Sequence, residues 1–599
     1  MHDDVFKNLN PEQKQAVEHI KGPSIILAGA GSGKTQVLVR KVLNMIINHN
    51  IKAENIIMIT FTNKAAAEMK KRIGTSRGTL AYVGTFHSFC ARLLRIDGVH
   101  IGLPRSFVIY DEDDSRALIK KCIKESVITK FTPSYFSNRI SAAKNELISP
   151  AQYSSVFSDY TASDVATVYK LYQKYLKQNN AVDFDDLLIR TIELLTLNKN
   201  ILDKYHRIYK YILVDEFQDT NVAQYILTRL LGEKEKNVTI VGDFSQSIYS
   251  WRGADIGNLE KFKTDFEGSR TFHLEQNYRS TQKILDFAYG VISKNTRHPI
   301  LKLYTKNKEG TDIIYHEAED EQQEALFIAS EIDRIKQVGE NETYAVLYRT
   351  NAQSRVIEEA FLHWGTPYIL VGGTRFYERR EIKDVLAYLR LLINPADTVA
   401  TDRIKKLGKR RWDKFREYYQ KTKDSVETHN TSDLMDQIFA ATGYLDLYHP
   451  DDAEDYTRLE NIKELKSVAV AFPNIIEFLE QVALVESEYF EKEKKADHSP
   501  STVRLMTLHG AKGLEFDVVF IVGLEDGILP HSRAIDDYFQ LEEERRLFYV
   551  GITRAKRHLY ITYTRRRFIF GKRTYSMKSR FIYDGDSEII QGVGDNDIF

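Results

Sequence analysis

A glycine-rich loop between an apolar run and a helical pattern most limits how this chain can fold. Residues 28–35 read Ala-Gly-Ala-Gly-Ser-Gly-Lys-Thr and directly follow the apolar run 25–27. Gly31 and Gly33 let the backbone turn tightly and direct its N–H groups at phosphates. The start of the following helix adds the positive end of its dipole. The predicted phosphate-binding residues are Ala28, Gly29, Ala30, Gly31, Ser32, Gly33, Lys34 and Thr35.

A second apolar run, 211–214, ends in the acidic pair Asp215-Glu216. Lys34 would supply positive charge to the phosphates, and Thr35 and Asp215 would hold Mg²⁺. Glu216 would orient or deprotonate the attacking water. Taken together, the loop and the acidic pair predict an enzyme that binds and hydrolyses a nucleoside triphosphate with Mg²⁺.

Composition excludes several classes of protein. The 599 residues predict roughly four domains. The 84 basic and 84 acidic residues cancel, so any contact with nucleic acid must come from local patches. Only Cys90 and Cys122 are present, which excludes a disulfide framework and a cysteine-based zinc cluster and suits a cytoplasmic protein. No signal-peptide pattern and no apolar run long enough to span a membrane is found, so no membrane partner is expected.

Short apolar runs alternate with helical patterns in two separate blocks of the chain. Continuous apolar strands separated by helices predict parallel sheets that are covered on both faces, and hence an α/β fold. A helix is predicted over 34–47, directly after the phosphate loop. The predicted strands are 24–28, 56–61, 80–85, 211–215 and 238–242 in the first block, and 312–317, 344–348, 367–371, 503–508, 517–522 and 558–563 in the second.

Each block is interrupted by a long stretch that shows helical spacing and no strand alternation. We therefore expect two α/β domains, each with a helical insertion domain. The predicted bounds are 1–89 with 181–280 for the first domain, 90–180 for its insert, 281–374 with 501–599 for the second domain, and 375–500 for its insert.

Several further motifs occur in a fixed order along the chain. Together with the phosphate loop and the acidic pair, they resemble the UvrD/Rep/PcrA-like DNA helicases of superfamily 1. The resemblance covers nearly the whole chain, from Leu9 to about Phe581. The motifs are GTFHSF at 84–89, VDEFQDT at 214–220, QSIYSWRGA at 246–254, NYRS at 277–280, TLHGAKGLEF at 507–516 and YVGITRA at 549–555.

The resemblance implies two RecA-like motor domains with ATP in the cleft between them and a helical insert in each. The second insert, 375–500, is shortened relative to typical members of the family. It implies an ATP hydrolase that moves 3′ to 5′ along single-stranded DNA and separates strands at a junction with duplex, in DNA repair or replication restart. The implied cofactors are ATP and Mg²⁺. The implied partners are single-stranded DNA, single-strand/duplex junctions, and proteins of repair or replication.

The resemblance also implies contacts with the base and the ribose of the nucleotide. Gln13 would read the adenine edge, to which a glutamine amide can both donate and accept hydrogen bonds. Tyr278 would stack on the base, and Glu515 would contact the ribose.

Three more residues are implied at the γ-phosphate. Gln246 would sense this phosphate, and Arg279 and Arg554 would reach it as arginine fingers. An arginine stays charged and forks onto phosphate oxygens, so a finger that arrives only on domain closure would couple hydrolysis to motion.

A protein that binds single-stranded DNA regardless of its sequence needs aromatic faces and positive charge along one groove. Trp251, one of three tryptophans, is followed by Arg252 and is the most specific candidate for stacking. Thr85 and His87 are candidates for contacts with the DNA backbone. The full set that the resemblance implies for DNA binding is Phe61, Thr85, His87, Tyr249, Trp251, Arg252 and His509.

Alternatives to a duplex-unwinding motor remain open from the sequence. One is a translocase that strips proteins from single strands and unwinds poorly. Another is a small-molecule phosphotransferase, which would hydrolyse ATP regardless of DNA and would leave Trp251 unexplained. A third is a non-catalytic DNA-binding scaffold, against which the complete set Lys34, Asp215, Glu216 and Arg554 argues.

Overall fold

The structure of the protein, a computed structural model, describes residues 5–74, 80–128, 131–337, 342–493, 502–569, 572–585 and 590–593. The chain divides into two compact units. Unit 1 comprises Met1–Arg279 and Asn295–Lys306, and unit 2 comprises Ser280–Lys294 and Asn307–Phe599. None of the helices in the described ranges is both long and apolar enough to cross a membrane.

A six-stranded parallel sheet forms the centre of unit 1. Its strands lie in the order β3-β2-β4-β5-β1-β6, which confirms the predicted α/β class. The strands are Ser24–Ala28 (β1), Ile56–Thr60 (β2), Tyr82–Thr85 (β3), Tyr211–Val214 (β4), Val238–Gly242 (β5) and Arg270–Leu274 (β6). The first five agree with the predicted ranges to within a few residues.

Strand β6 was not expected from the sequence. It lies at the edge of the sheet, where Arg270, Thr271 and His273 are exposed while Phe272 and Leu274 are buried. An edge strand that alternates polar and apolar residues lacks the continuous apolar run that identified the central strands.

Both faces of this sheet are covered by apolar cores. Successive side chains of a strand point to opposite sides, so each central strand contributes to both cores. In β1, Ile25 and Leu27 join one apolar core, and Ile26 and Ala28 join the other. The described part of unit 1 includes the helices Pro11–Glu18, Lys34–Ile47, Asn63–Ile73, Phe86–Asp97, Glu112–Glu125, Pro133–Asn145, Tyr153–Val156, Ala162–Gln178, Phe184–Leu197, Lys199–Ile208, Val222–Gly232 and Asn258–Asp265.

The helices between Glu112 and Gln178 have an apolar core of their own, to which Phe136, Val165 and Tyr172 belong. A short parallel pair, Val108–Ile109 with Ala181–Val182, lies where the chain enters and leaves this helical region. A second short parallel pair, Gln276–Asn277 with Tyr304–Thr305, brings the segment 295–306 into unit 1.

Unit 2 is built on a seven-stranded sheet whose strand pairs are all parallel. Its order is β9-β10-β8-β11-β12-β7-β13. The strands are Ile313–Ala318 (β7), Tyr344–Tyr348 (β8), Tyr368–Leu370 (β9), Val503–Thr507 (β10), Phe516–Ile521 (β11), Ala555–Thr564 (β12) and Ile590–Val593 (β13). Six of them were predicted; the edge strand β13 was not.

The helices between Arg380 and Glu493 share a separate apolar core that includes Leu389, Ile438 and Leu465. The antiparallel hairpin Arg566–Ile569 with Lys572–Tyr575 follows β12. The helices of unit 2 are Gln282–Ile292, Glu321–Gln337, Ser354–Trp364, Arg380–Ile393, Thr398–Lys406, Lys409–Thr422, Thr431–Thr442, Ala453–Ala471, Ile475–Glu493 and Tyr538–Ile552.

Candidate nucleotide and nucleic-acid site

The predicted phosphate loop follows β1 and leads directly into the helix Lys34–Ile47. Gly31 and Gly33 have φ values of +64° and +84°, in the left-handed region that favours glycine. The Ser32 hydroxyl donates to the Gly29 carbonyl oxygen at 2.8 Å, which closes the loop on itself. No side chain caps the N-terminus of the helix at Gly33, so its first backbone N–H groups are available to an anion.

Lys34 extends back over the loop that precedes it. Its Nζ atom lies 3.4 Å from the carbonyl oxygen of Ala28 and 3.5 Å from that of Gly29. Both are long hydrogen bonds, so little free energy opposes their exchange for phosphate oxygens. The ammonium group therefore lies where the loop would hold phosphates.

Gln13 is fully buried and supports the loop through its side-chain amide. Its Nε2 donates to the Ser32 carbonyl oxygen at 2.8 Å, and its Oε1 accepts from the Asn10 N–H at 3.1 Å. The Asn10 side chain in turn accepts from the Gln13 N–H at 2.7 Å, which forms a capping box. Both ends of the Gln13 amide are thus occupied by protein groups.

The segment after β6 packs against the same loop. Asn277 Nδ2 donates to the Ala30 carbonyl oxygen at 2.7 Å, and the Tyr278 N–H donates to the Gly31 carbonyl oxygen at 2.9 Å. The Arg279 N–H is bonded to Asn277 Oδ1 at 2.7 Å. A Cβ atom built on Gly31 would lie 2.8 Å from the Arg279 Cβ, so this arginine borders the loop. The Tyr278 side chain is 48% exposed and open to a ligand.

Asp215 follows β4 and is almost completely buried, at 4% exposure. Its N–H donates to the Ile59 carbonyl oxygen at 2.8 Å, whereas its Oδ1 atom has no hydrogen-bond partner. Burial, with a further contribution from the Glu216 charge, raises the pKa of Asp215 to about 7, and the Lys34 ammonium opposes this rise. An unpartnered buried carboxylate oxygen beside a phosphate loop is suited to a cation.

Glu216 occupies a strained backbone position at the turn after Asp215. Its φ is +51°, a conformation uncommon for residues other than glycine. Its Oε2 accepts a hydrogen bond from Gln218 Nε2 at 2.7 Å. The two neighbouring carboxylates therefore differ in their surroundings, since Glu216 accepts from Gln218 whereas Asp215 Oδ1 has no hydrogen-bond partner.

Gln246 is buried, and its Nε2 donates to Asp243 Oδ2 at 2.6 Å. Asp243 is not among the site residues that the sequence predicted. Burial raises its pKa, while the Lys34 charge and the Gln246 hydrogen bond lower it. Its position directly after an apolar strand, the same signal that marked Asp215, would have identified it.

Four of the predicted DNA-binding residues form one cluster in unit 1. The rings of Phe61 and Tyr249 are stacked, with centroids 5.9 Å apart and planes 6° apart. The Trp251 ring meets Tyr249 edge-on at 6.4 Å and is 59% exposed. The Arg252 guanidinium lies 4.5 Å from the centre of the Trp251 ring, a cation–π contact. The cluster offers an aromatic face beside a positive charge.

Thr85 and His87 lie at the start of the helix Phe86–Asp97, and Thr85 pairs across the sheet with Thr60, the residue before Phe61. The Thr85 side chain caps this helix by accepting from the Ser88 N–H at 3.3 Å. His87 meets the ring of Phe184 at 5.9 Å, and burial lowers the pKa of the imidazole. Thr85 therefore has a structural task, and His87 is favoured in its neutral form.

Three predicted residues lie in unit 2. Arg554 is buried, and its guanidinium donates to the carbonyl oxygens of Val550 at 2.8 Å and Leu514 at 3.1 Å. Glu515 is half exposed and forms an ion pair with Lys556 at 3.1 Å. His509 is partly exposed in the turn after β10.

The donor set beside the phosphate loop fits a Mg²⁺ ion. Thr35 stands in the first turn of the helix after the loop, and Asp215 contributes a buried, unpartnered oxygen. Within the described ranges no group of three or more His, Cys, Asp and Glu side chains is placed to hold a metal ion. Magnesium in phosphate-transfer sites typically needs only one or two protein ligands, because waters and phosphates supply the rest.

Two protein-family models match successive parts of the chain. The UvrD/REP helicase N-terminal domain matches residues 9–267, and the UvrD-like helicase C-terminal domain matches residues 272–421 and 405–566.

Curated relatives cover almost the whole chain. The chain is 39% identical over 645 aligned positions to a Bacillus subtilis protein named ATP-dependent DNA helicase PcrA, with 99% of this chain and 87% of the relative covered. Proteins of the same name from Staphylococcus aureus and Staphylococcus epidermidis are each 40% identical, with 98% of this chain and 87% of each relative covered. The chain therefore belongs to the UvrD/REP helicase family.

Proposed function

We propose that this protein is an ATP-dependent DNA helicase that moves 3′ to 5′ along single-stranded DNA and separates duplex at junctions. One observation carries the proposal: unit 1 holds a phosphate loop with buried carboxylates together with the exposed aromatic cluster of Phe61, Tyr249 and Trp251. A small-molecule phosphotransferase does not require exposed aromatic rings on which nucleic-acid bases can stack. The activity for which the relatives are named, ATP-dependent DNA helicase, supports the same interpretation.

ATP would bind with its phosphates on the loop 28–35. The loop N–H groups and the Lys34 ammonium would neutralise phosphate charge. Mg²⁺, held by the Thr35 hydroxyl and Asp215, would neutralise charge on the β- and γ-phosphates. Tyr278 would stack on the base. Gln13 would present to the adenine edge the second Nε2 hydrogen and the second Oε1 lone pair, which its bonds to Ser32 and Asn10 leave over.

Glu216 would act on the attacking water. Its carboxylate would orient the water and accept a proton as the oxygen attacks the γ-phosphorus and ADP leaves. Gln246, held by Asp243, would sense the γ-phosphate. The role of Asp243 would be to keep the Gln246 amide in one orientation.

Arg279 and Arg554 are proposed as the arginines that reach the γ-phosphate, and Glu515 as a contact to the ribose. Arg279 borders the phosphate loop. Arg554 is buried on backbone carbonyl oxygens, so its guanidinium would exchange some of these bonds for phosphate oxygens. Such exchange requires motion, which is how hydrolysis becomes coupled to movement.

Single-stranded DNA would stack on the aromatic cluster, with Arg252 close to its phosphates. Stacking tolerates any base, since every base has a π face. His509, Thr85 and His87 are proposed as further contacts along the strand. A role in DNA repair or replication restart and a cytoplasmic location belong to the same proposal, as do the domain bounds predicted from the sequence. The two cysteines are free and buried, which agrees with a reducing compartment.

The direct test is ATP turnover with single-stranded DNA, duplex DNA, RNA or no polymer. Strong stimulation by single-stranded DNA is expected. Turnover that is indifferent to every polymer would refute the proposal and favour a small-molecule phosphotransferase. No turnover under any condition would favour a scaffold.

A second assay addresses strand separation and direction. Duplexes that carry a 3′ or a 5′ single-stranded tail are incubated with protein and ATP, and release of the labelled strand is measured. Release from the 3′-tailed duplex alone is expected. Stimulated hydrolysis without strand release, combined with displacement of a protein block from the tail, would identify a translocase instead.

A further inference from the structure

Asn145 contacts three parts of unit 1: the helical region, the segment that follows the acidic pair Asp215-Glu216, and the turn that follows Trp251. It is the last residue of the helix Pro133–Asn145 in the helical region. Its Oδ1 accepts a hydrogen bond from Asn221 Nδ2 at 2.6 Å. A Cβ atom added to Gly253 would lie 3.3 Å from the Asn145 Cβ, so the same side chain packs against the turn that follows Trp251 and Arg252.

Asn221 lies six positions after Asp215 in the acidic segment and begins the helix Val222–Gly232. Its side chain accepts from the Gln224 N–H at 2.8 Å and forms a capping box with Gln224. These bonds hold Asn221 at the start of the helix. A displacement of its side chain is therefore expected to move the adjoining backbone with it. A force on the Asn221 amide therefore acts on the segment that carries the carboxylates.

The turn of Trp251 has a second attachment to the same segment. The Asp255 N–H donates to the Thr220 carbonyl oxygen at 3.0 Å, and Asn258 Nδ2 donates to that oxygen at 2.9 Å. Asn145 adds a further link between the same two segments, because it contacts both Asn221 and Gly253.

Asn145 is itself fixed by its neighbour. Lys144 is fully buried and its Nζ lies 2.6 Å from Asp183 Oδ2 and 2.9 Å from Asp186 Oδ1. These carboxylates stand at the start of the core helix Phe184–Leu197. Removal of one partner of a buried ion pair is strongly unfavourable, so the end of the Asn145 helix has one position relative to the core.

We propose that Asn145 is a positioning residue that couples DNA on the Trp251 turn to the hydrolytic carboxylates Asp215 and Glu216. Base stacking would fix the turn, Asn145 and Asn221 would pass this constraint to the acidic segment, and Glu216 would then hold water in the productive orientation. The inference rests on the proposed function, since it assigns a coupling role within that activity.

The test compares wild type with Asn145→Ala and Asn145→Asp in ATP turnover, with and without single-stranded DNA. For Asn145→Ala we expect a loss of about tenfold in the DNA-stimulated kcat, with basal turnover and melting temperature close to wild type. Asn145→Asp keeps an oxygen that accepts from Asn221, so it is expected to retain most of the stimulation. An equal loss of basal and stimulated turnover, or full stimulation in Asn145→Ala, would overturn the inference.

If Asn145→Ala is too unstable for the turnover assay, a measurement of tryptophan fluorescence tests the same coupling. In a Trp364→Phe, Trp412→Phe background, Trp251 is the single tryptophan. Addition of a non-hydrolysable ATP analogue is expected to change Trp251 fluorescence in this background and in its Asn145→Asp derivative, and to change it much less in Asn145→Ser. An unchanged response in Asn145→Ser would contradict the coupling. Wild type that lacks DNA stimulation altogether would instead refute the proposed function.

Discussion

Asn277 donates its side-chain amide to the carbonyl oxygen of Ala30 at 2.7 Å, and so ties the segment that carries Arg279 to the phosphate loop. The bond joins parts of the chain that lie far apart in sequence. It leaves no room beside Gly31, where an added Cβ atom would be 2.8 Å from both the Asn277 amide and the Arg279 Cβ. The segment that carries Arg279 is therefore packed directly against the phosphate loop.

Gly31→Ala is expected to lower ATP turnover by about a hundredfold, because the new methyl group displaces the segment that carries Arg279. Gly268→Ala is the matched control. Gly268 also has a positive φ, of +77°, but nothing lies within 4 Å of its Cβ position. The control should lose stability and keep its turnover. Steady-state ATPase assays and melting temperatures of both variants check this, and equal activity of the two would contradict the packing argument.

Lys34→Ala is expected to reduce ATP hydrolysis to background, a loss of at least about a hundredfold, since the loop then lacks its positive charge at the phosphates. Lys21→Ala removes an exposed lysine of the same unit and should leave turnover unchanged. Phosphate release is the measurement. Wild-type turnover in Lys34→Ala would refute the assignment of the site.

Trp251→Ala is expected to keep basal hydrolysis and to weaken single-stranded DNA binding about 5- to 150-fold, the loss of one stacked base. Trp364→Phe changes an exposed tryptophan of unit 2 and serves as the control. Fluorescence anisotropy with a labelled oligonucleotide gives the affinity, and a stepping assay gives the movement. Normal stepping by Trp251→Ala would show that the exposed ring is not a platform for bases.

Lys41 gives a prediction for pH dependence. Its Nζ donates to the carbonyl oxygens of Ala16, at 2.9 Å, and His19 at the end of the helix Pro11–Glu18. Burial lowers the pKa of Lys41 to about 7. The unfolded chain, with a lysine pKa of about 10.4, binds more protons than the folded protein between these values, so this group makes the protein more stable as the pH rises from 7 to 10.

Lys41→Met removes that dependence. The free energy of unfolding of wild type relative to Lys41→Met should therefore increase with pH above 7, by up to about 1.4 kcal/mol for each pH unit. Urea titrations at several pH values, followed by tryptophan fluorescence, measure this difference. Lys52→Met, at an exposed lysine paired with Glu54, should show no such trend. A constant difference for Lys41→Met would mean that the ammonium stays charged when buried.

The sequence determined the local parts of this protein. A strand, a glycine-rich loop and a helix are neighbours in the chain, so Lys34 and Thr35 were predicted where the structure has them. Apolar runs predicted the central strands, because the residues that make a strand buried are also neighbours in the chain. The ordered motifs predicted the family, which the comparison with known proteins then confirmed. The edge strands Arg270–Leu274 and Ile590–Val593 were not predicted, because neither contains a continuous apolar run.

Only the tertiary structure decided which side chains meet. Parallel strands place their carboxyl ends at one edge of a sheet, which brings Asp215 and Asp243 close to Lys34, although nothing local links these residues. The stacking of Phe61 on Tyr249 likewise depends on strand order. Periodicity along a chain records which residues are buried, whereas the partners of a buried group depend on how distant strands are ordered in the sheet.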